Sequence, residues 1–277
     1  MDYELICIDM DGTLLNSKHS ISELSKETIK KAHSMGVHIV VNTGRIYTDA
    51  EYFSNLLGVK SPVIASNGAF IKEKDKDEII YKNILKESVC LKLIDVFSKY
   101  NVNPTFLTPD KIYSSSIVWR IFMQYLKLKG IFNKNLCFQY VPFWTKWDNI
   151  FKLEKENIIK CEVMSKDENK LKKIRDELKT IDEIEVASST KYNIEITNKG
   201  VSKGRAVEIL SSYYGIDREK IIAIGDSEND LSMIEFAGMG IAMGNAIDIV
   251  KNKADFITDT NDNNGVAKAI DKFVLKK

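Results

Sequence analysis

Asp9 and Asp11, two carboxylates one residue apart, are the first groups in this chain that could do chemistry. They follow the apolar run Leu5-Ile6-Cys7-Ile8 and precede Gly12, which lets the chain turn sharply. Four apolar residues ending at a turn signal predict a short strand buried on both faces. Ligands of open α/β sheets bind beyond the carboxyl ends of the strands, so both carboxylates would stand at such a crevice. Paired there, one can attack phosphorus as a covalent nucleophile, and the other can handle protons for leaving group and water. Taken alone, the same residues could be an ordinary turn with Asp9 as its hydrogen-bonded neighbour.

Three further motifs sit just past a predicted strand or at the start of a helix. Thr43-Gly44-Arg45 follows the strand Val37 to Val41 and is read as a helix N-terminus, where a hydroxyl and backbone N–H groups make an anion site. Lys203 opens a helix, where the macrodipole disfavours a cation by roughly 0.3–1 kcal/mol unless the lysine faces an anion. Gly225-Asp226-Ser227-Glu228-Asn229-Asp230 follows the apolar strand Ile221 to Ile224. If that strand lies beside the first, Asp9, Asp11, Asp226 and Asp230 crowd one sheet edge and raise one another's pKa values. A divalent cation removes the conflict, and an all-oxygen donor set favours Mg²⁺ over zinc.

The elements that must place these groups follow a strand–helix rhythm. A capping-box spacing at Ser20 to Glu23 starts a helix that stops near Gly36, and Pro62 to Ala65 forms a third strand. The rhythm lapses from about Tyr81 to Glu195, a stretch that holds all three tryptophans. A helix at Leu85 to Tyr100, two strands about Thr108 to Lys111, a strand–helix–strand unit from Ile158 to Ala187 and a strand at Tyr192 to Ile196 are expected there. The first rhythm resumes after Gly200. The expected fold is therefore α/β: a doubly wound parallel-sheet core, residues 1–82 and 196–277, with an inserted α+β cap, residues 83–195.

Composition narrows the function classes. The 277 residues carry a formal net charge of +1, and only five of the 40 basic residues are arginines, scattered without a stripe. Bulk electrostatic binding of nucleic acid is not expected. No apolar run reaches the ~20 residues a membrane span needs, and Asp2 and Glu4 stand where a signal peptide would carry positive charge. Cys7, Cys90, Cys137 and Cys161 are far apart and read as reduced thiols, so a cytoplasmic protein is expected, as a monomer or small homo-oligomer.

Asp9-Met10-Asp11-Gly12-Thr13, Thr43-Gly44-Arg45, Lys203 and Gly225 to Asp230 together resemble the four ordered motifs of the haloacid dehalogenase superfamily of phosphatases. The long insertion, with Ser66-Asn67-Gly68-Ala69 and Asn264-Gly265-Val266-Ala267, resembles the Cof-type branch with its large α/β cap. The resemblance implies a Mg²⁺-dependent hydrolysis of small phosphorylated metabolites through an aspartyl-phosphate. It makes Asp9 the nucleophile and Asp11 the acid and base, with Thr43, Gly44, Lys203 and Asn229 around the phosphoryl oxygens. Asp9, the backbone carbonyl of Asp11, and Asp226 would hold the metal, with Asp230 orienting Lys203 or a metal-bound water. A phosphomannomutase-like phosphotransferase and a non-catalytic phosphometabolite-binding protein are the alternatives. The aromatic segment Tyr140 to Trp147, broken by Pro142, is expected to be a loop in which Trp144, Lys146 or Trp147 meets the substrate.

Overall fold

The computed structural model describes residues 3–74, 76–142 and 145–276. The chain opens with β1 (Leu5–Ile8), α1 (Glu23–Ser34), β2 (His38–Asn42), α2 (Tyr47–Asn55) and β3 (Val63–Ala65), then adds the hairpin β4 (Phe70–Glu73) and β5 (Glu78–Lys82). It next forms α3 (Glu87–Lys99), β6 (Thr105–Leu107), β7 (Lys111–Ser114), α4 (Ile117–Leu128), β8 (Cys137–Tyr140) and α5 (Trp147–Glu154). After these come β9 (Lys160–Met164), α6 (Glu168–Leu178), β10 (Ile184–Ala187) and β11 (Asn193–Asn198). It closes with α7 (Lys203–Tyr214), β12 (Ile221–Gly225), α8 (Leu231–Phe236), β13 (Met239–Ala242), α9 (Asp248–Lys253), β14 (Phe256–Ile257) and α10 (Gly265–Ile270).

The strands form two sheets. One runs β14-β13-β12-β1-β2-β3-β4-β5, parallel from β14 to β3 and antiparallel through the final hairpin. β1 lies between β12 and β2, with Ile8 opposite both Ile224 and Val41, so three strands end side by side. Alternation along β1 explains why four consecutive apolar residues are needed. Ile6 and Ile8 enter the core beneath α1 and α10, whereas Leu5 and Cys7 enter the core beneath α7. All four are fully buried, and each aliphatic side chain so placed contributes about 1.5–3 kcal/mol. The expected α/β core is observed. The β4–β5 hairpin at its edge has no counterpart in the sequence reading, because Phe70 to Lys82 lacks a long apolar run.

The inserted sheet runs β10-β11-β9-β6-β7-β8 and is antiparallel except for β7–β8. Its Phe106, Tyr113, Cys161, Val163, Ile194 and Ile196 pack with α3, α5 and α6 into one core. α4, β8 and α5 are additions to the expected elements. β11 continues to Asn198, paired with Ile184, so the boundary expected between 195 and 196 falls inside a strand. The alternation of β11 persists past Ile196, and the chain turns only at Gly200, whose φ is +78°. Among the described residues no helix is long and apolar enough to cross a membrane.

Candidate active site

The groups singled out in the sequence converge where β1 and β12 end. Asp9 directly follows β1, and its N–H donates to the Ile224 carbonyl at 3.0 Å, which fixes it against β12. Lys203, the first residue of α7, is buried and reaches between two carboxylates: its Nζ donates to Asp9 Oδ1 at 2.5 Å and Asp230 Oδ1 at 2.6 Å. Lys203 therefore faces anions, as its place at the start of a helix requires. Its unfavourable place at a helix N-terminus is offset by these anions, which hold its pKa above the ordinary lysine value against the opposing effect of burial.

Asp230 uses both oxygens within the protein. Beyond Lys203, its Oδ2 accepts from the N–H groups of Asp226 and Ser227, each at 2.9 Å. Asp226 lies nearer the opening, accepting from Thr13 Oγ1 at 2.8 Å and Ser227 Oγ at 3.0 Å. Burial, then the charge of Asp230, pushes the Asp226 carboxyl up to about 6. Asp9 is pushed well above the carboxylate range, first by burial and then by Asp230, against the pull of Lys203.

Carboxylate oxygens of Asp9, Asp226 and Asp230 lie within 4.8 Å of one another. Three carboxylates against the single buried Lys203 leave an excess of negative charge, and every donor is a hard oxygen. The set therefore fits a divalent oxygen-loving cation such as Mg²⁺. Asp230 accepts three hydrogen bonds within the protein, one on Oδ1 and two on Oδ2, so Asp9 and Asp226 are the carboxylates with more acceptor capacity left to hold it. Gly12 permits their approach: its φ is +82°, and a Cβ there would stand 2.6 Å from Asp226 Oδ2.

Asp11 stands apart from this buried group. Its side chain is 47% exposed and ion-paired with Arg45, which donates through Nε to Oδ2 at 2.8 Å and through a second nitrogen to Oδ1 at 2.6 Å. Desolvation would raise the Asp11 carboxyl, but the Arg45 guanidinium outweighs it and holds the pKa below the ordinary value. Arg45 also donates to Asp49 Oδ2 and to the Ile131 carbonyl, both at 2.7 Å, and lies between the rings of Phe53 and Phe132.

The Thr43 motif departs from expectation. α2 begins at Tyr47 after the N-cap Ile46, so Thr43-Gly44-Arg45 is a loop and not a helix N-terminus. Thr43 Oγ1 accepts from the Arg45 N–H at 3.2 Å, a local bond within the loop. Thr43, Gly44 and Asn229 nevertheless line the same cavity as Asp9, Asp11 and Asp226. Asn229 Nδ2 donates to Asn67 Oδ1 at 3.1 Å, and its own Oδ1 is buried without a partner among the described residues.

Several groups at the site escaped the sequence reading. Lys160 of β9 donates to the Gly44 carbonyl and to Glu195 Oε1, each at 2.8 Å. Glu195 of β11 also accepts from Asn67 Nδ2 at 2.6 Å. Burial would raise the Glu195 carboxyl, but Lys160 and Asn67 hold it below the ordinary value. These bonds tie the inserted sheet to the Thr43 loop. Their signal was present as strict polar–apolar alternation, Lys160-Cys161-Glu162-Val163 and Asn193-Ile194-Glu195-Ile196. The apolar members enter the insert's own core, and Lys160, Glu162, Asn193 and Glu195 face the cavity.

The expected specificity segment is not where the cavity lies. Trp147 packs against Phe106 and Phe151, with ring centroids 5.0 and 5.9 Å away, inside the insert's core. Lys146 is exposed at the start of α5 and does not line the cavity. Trp144 lies outside the described residues. Among the described residues, the tryptophan that lines the cavity is Trp119 of α4.

Carboxylates at the ends of neighbouring parallel strands, with a buried lysine between them, equip an α/β enzyme for phosphate-ester chemistry. The family can be stated outright. Residues 6–270 match the haloacid dehalogenase-like hydrolases, and the chain belongs to that family as a phosphoric monoester hydrolase. It is 35% identical to a 5-amino-6-(5-phospho-D-ribitylamino)uracil phosphatase of Bacillus subtilis, over 99% of this chain and 97% of that one. It is 30% identical to a phosphoglycolate phosphatase of Methanobrevibacter smithii, over 99% and 100% of the two chains. A solved haloacid dehalogenase-like hydrolase from B. subtilis superimposes with a TM-score of 0.87 at 28% identity, covering 98% of this chain and 100% of that one.

Proposed function

We propose that this protein hydrolyses small phosphorylated metabolites in the cytoplasm by a two-step transfer through an aspartyl-phosphate on Asp9. The observation that carries the reading is Asp9 itself: a strand-end carboxylate held by Lys203 and facing a cavity that Asp11, Thr43 and Asp226 also line. In the first step an Asp9 oxygen bonds to phosphorus as the ester oxygen leaves, and Asp11 gives that oxygen a proton. In the second, Asp11 takes a proton from water, whose oxygen bonds to phosphorus as the Asp9–phosphorus bond breaks. Lys203, Thr43, the Gly44 backbone and Asn229 hold the phosphoryl oxygens. Asp230 keeps Lys203 charged and aimed.

Asp9, the Asp11 carbonyl and Asp226 would hold Mg²⁺, which when bound neutralises charge on the phosphoryl oxygens. To donate a proton, Asp11 must exchange its ionic contact with Arg45 for one with the leaving oxygen. Arg45 also holds the Ile131 carbonyl of the insert, so arrival of substrate and movement of the insert act on one guanidinium. The insert, running to Asn198, is read as a cap that excludes water and selects the leaving group.

The named relatives act on leaving groups as different as a ribitylaminouracil and glycolate, so the chemistry is proposed here for phosphomonoesters as a class. A panel of phosphorylated metabolites, with Asp9→Asn as blank, tests it. Mg²⁺-dependent release of phosphate that the blank lacks is expected. Transfer to a second sugar hydroxyl without release of phosphate would point to a mutase, and binding without turnover would contradict the proposal.

A further inference from the structure

One helix of the insert is apolar on both of its sides. α4 holds the inward residues Trp119, Met123 and Leu126, which cluster with Ile46, Leu107, Ile112 and Leu136 and anchor it. Ile117, Val118, Ile121, Phe122, Tyr125 and Leu128 stand away from that cluster and are 45% to 84% exposed. Among these, Val118, Ile121, Tyr125 and Leu128 follow spacings of three, four and three, the repeat by which two helices pair. A helix that is apolar all round is ordinarily buried all round. The outer face of α4 is exposed in the single chain.

Its size and its charge identify what covers it. The six side chains expose on the order of 700 Å², close to the ~800 Å² that each partner gives to a standard-size protein interface. Exposed apolar patches this large mark interaction sites. α4 has no acidic residue, and the cations that could meet an anionic membrane or an acidic partner are turned onto the protein itself. Arg120 lies over the Tyr140 ring, Lys129 lies over the Tyr125 ring, and Lys127 donates to the Leu136 carbonyl. An uncharged apolar stripe is complementary to itself, and a two-fold pair sets the same patch of both copies together. The formal net charge of +1 puts no long-range repulsion between two copies.

We infer that this protein forms a two-fold homodimer in solution, in which the outer face of α4 packs on the same face of a second copy. The inner face of α4 lines the cavity above the strand ends, so each copy backs one wall of the other's site. The pairing does not depend on the proposed reaction.

Sedimentation velocity of the full chain between about 1 and 100 µM tests this, with Ile121→Glu and Ile79→Glu run beside it. Ile79 is also exposed, but on β5 of the core. The unaltered protein and Ile79→Glu should sediment with twice the mass of one chain at the upper concentrations. Ile121→Glu should sediment as a single chain, its dissociation constant raised at least about 100-fold, because the charge enters a two-fold interface twice. A single chain at every concentration of the unaltered protein, or a dimer that Ile121→Glu leaves intact, would overturn the inference. If Ile121→Glu does not fold, hydrogen exchange of the unaltered protein decides. Slower exchange of residues 117–128 at high than at low protein concentration supports the pairing, and equal exchange overturns it. Vesicles of phosphatidylcholine and phosphatidylglycerol make the last arm: a single chain that pellets with them, and no longer does so after Ile121→Glu, would give the face to a membrane and overturn the dimer.

Discussion

At the scale of single residues, environment separates the two opening aspartates more sharply than their spacing does. Asp9 is buried against Lys203, whereas Asp11 is half exposed and clamped by Arg45. The Asp11 carboxylate is half exposed, and without it the buried Arg45 guanidinium keeps Asp49 and the Ile131 carbonyl, so Asp11→Ala should cost under about 1 kcal/mol of stability while abolishing efficient turnover. Asp49 presents the opposite case. It is buried, pairs with Arg45 and accepts the Asn133 N–H at 2.6 Å. Removing it leaves the Asn133 N–H and one Arg45 nitrogen short of a buried acceptor, although Asp11 still pairs with Arg45, and Asp49→Ala should cost about 2–3 kcal/mol. Urea denaturation of the two variants checks the contrast, and equal losses would contradict it. The residues that were legible in the sequence, Asp9, Asp226 and Lys203, are those whose type conflicts with their local setting. Asn67 stands out only as part of a family-like segment and Glu195 only as a strand residue, because a neutral amide after a strand and a polar residue in an alternating strand conflict with nothing in their local setting.

At the scale of elements, the site depends on how closely turns and helices approach. Gly12 combines a φ of +82° with a separation from Asp226 that leaves no room for a Cβ. Gly12→Ala should therefore lower Mg²⁺ affinity at least tenfold, beyond its effect on stability; unchanged affinity in calorimetric titration would contradict this role. Gly204, next to Lys203, is equally constrained, since a Cβ there would stand 2.2 Å from the Ser232 carbonyl oxygen. The strands of the parallel core were readable because β1 and β12 are continuous apolar runs covered on both faces. α4 was not readable by the same logic. Ile117, Val118, Ile121, Phe122, Tyr125 and Leu128 are exposed on it, so apolar residues occur around the helix and mark no single buried stripe. The helix expected at Thr43 begins at Tyr47 instead, and the Thr43 hydroxyl accepts the Arg45 N–H within the loop that precedes it.

At the scale of the whole molecule, the insert meets the core through polar links that end on loops of the candidate site: Lys160 to Gly44, Asn67 to Glu195, Arg45 to Ile131, and Arg175 to Glu228. The charge excess beneath it makes stability and metal affinity respond oppositely to acid. The folded-state pKa of Asp226, about 6, lies above its ordinary carboxylate value, and that of Asp9 is raised in the same sense. Folding therefore favours their protonated forms, so in chelator these groups add stability as pH falls from above 6 towards 4. Mg²⁺ needs the ionised forms, and its affinity should fall over the same interval with proton release on binding. Asp226→Asn should flatten the first trend in thermal melts, and a steeper trend in the variant would contradict the account. The central claim, that the phosphoryl group rests on Asp9, is tested most directly by quenching a single turnover in acid and reducing the trapped acyl phosphate with borohydride. Peptide mass spectrometry should then find homoserine in place of Asp9. Homoserine at Asp11 or Asp226, or full turnover with no modified residue at all, would contradict it.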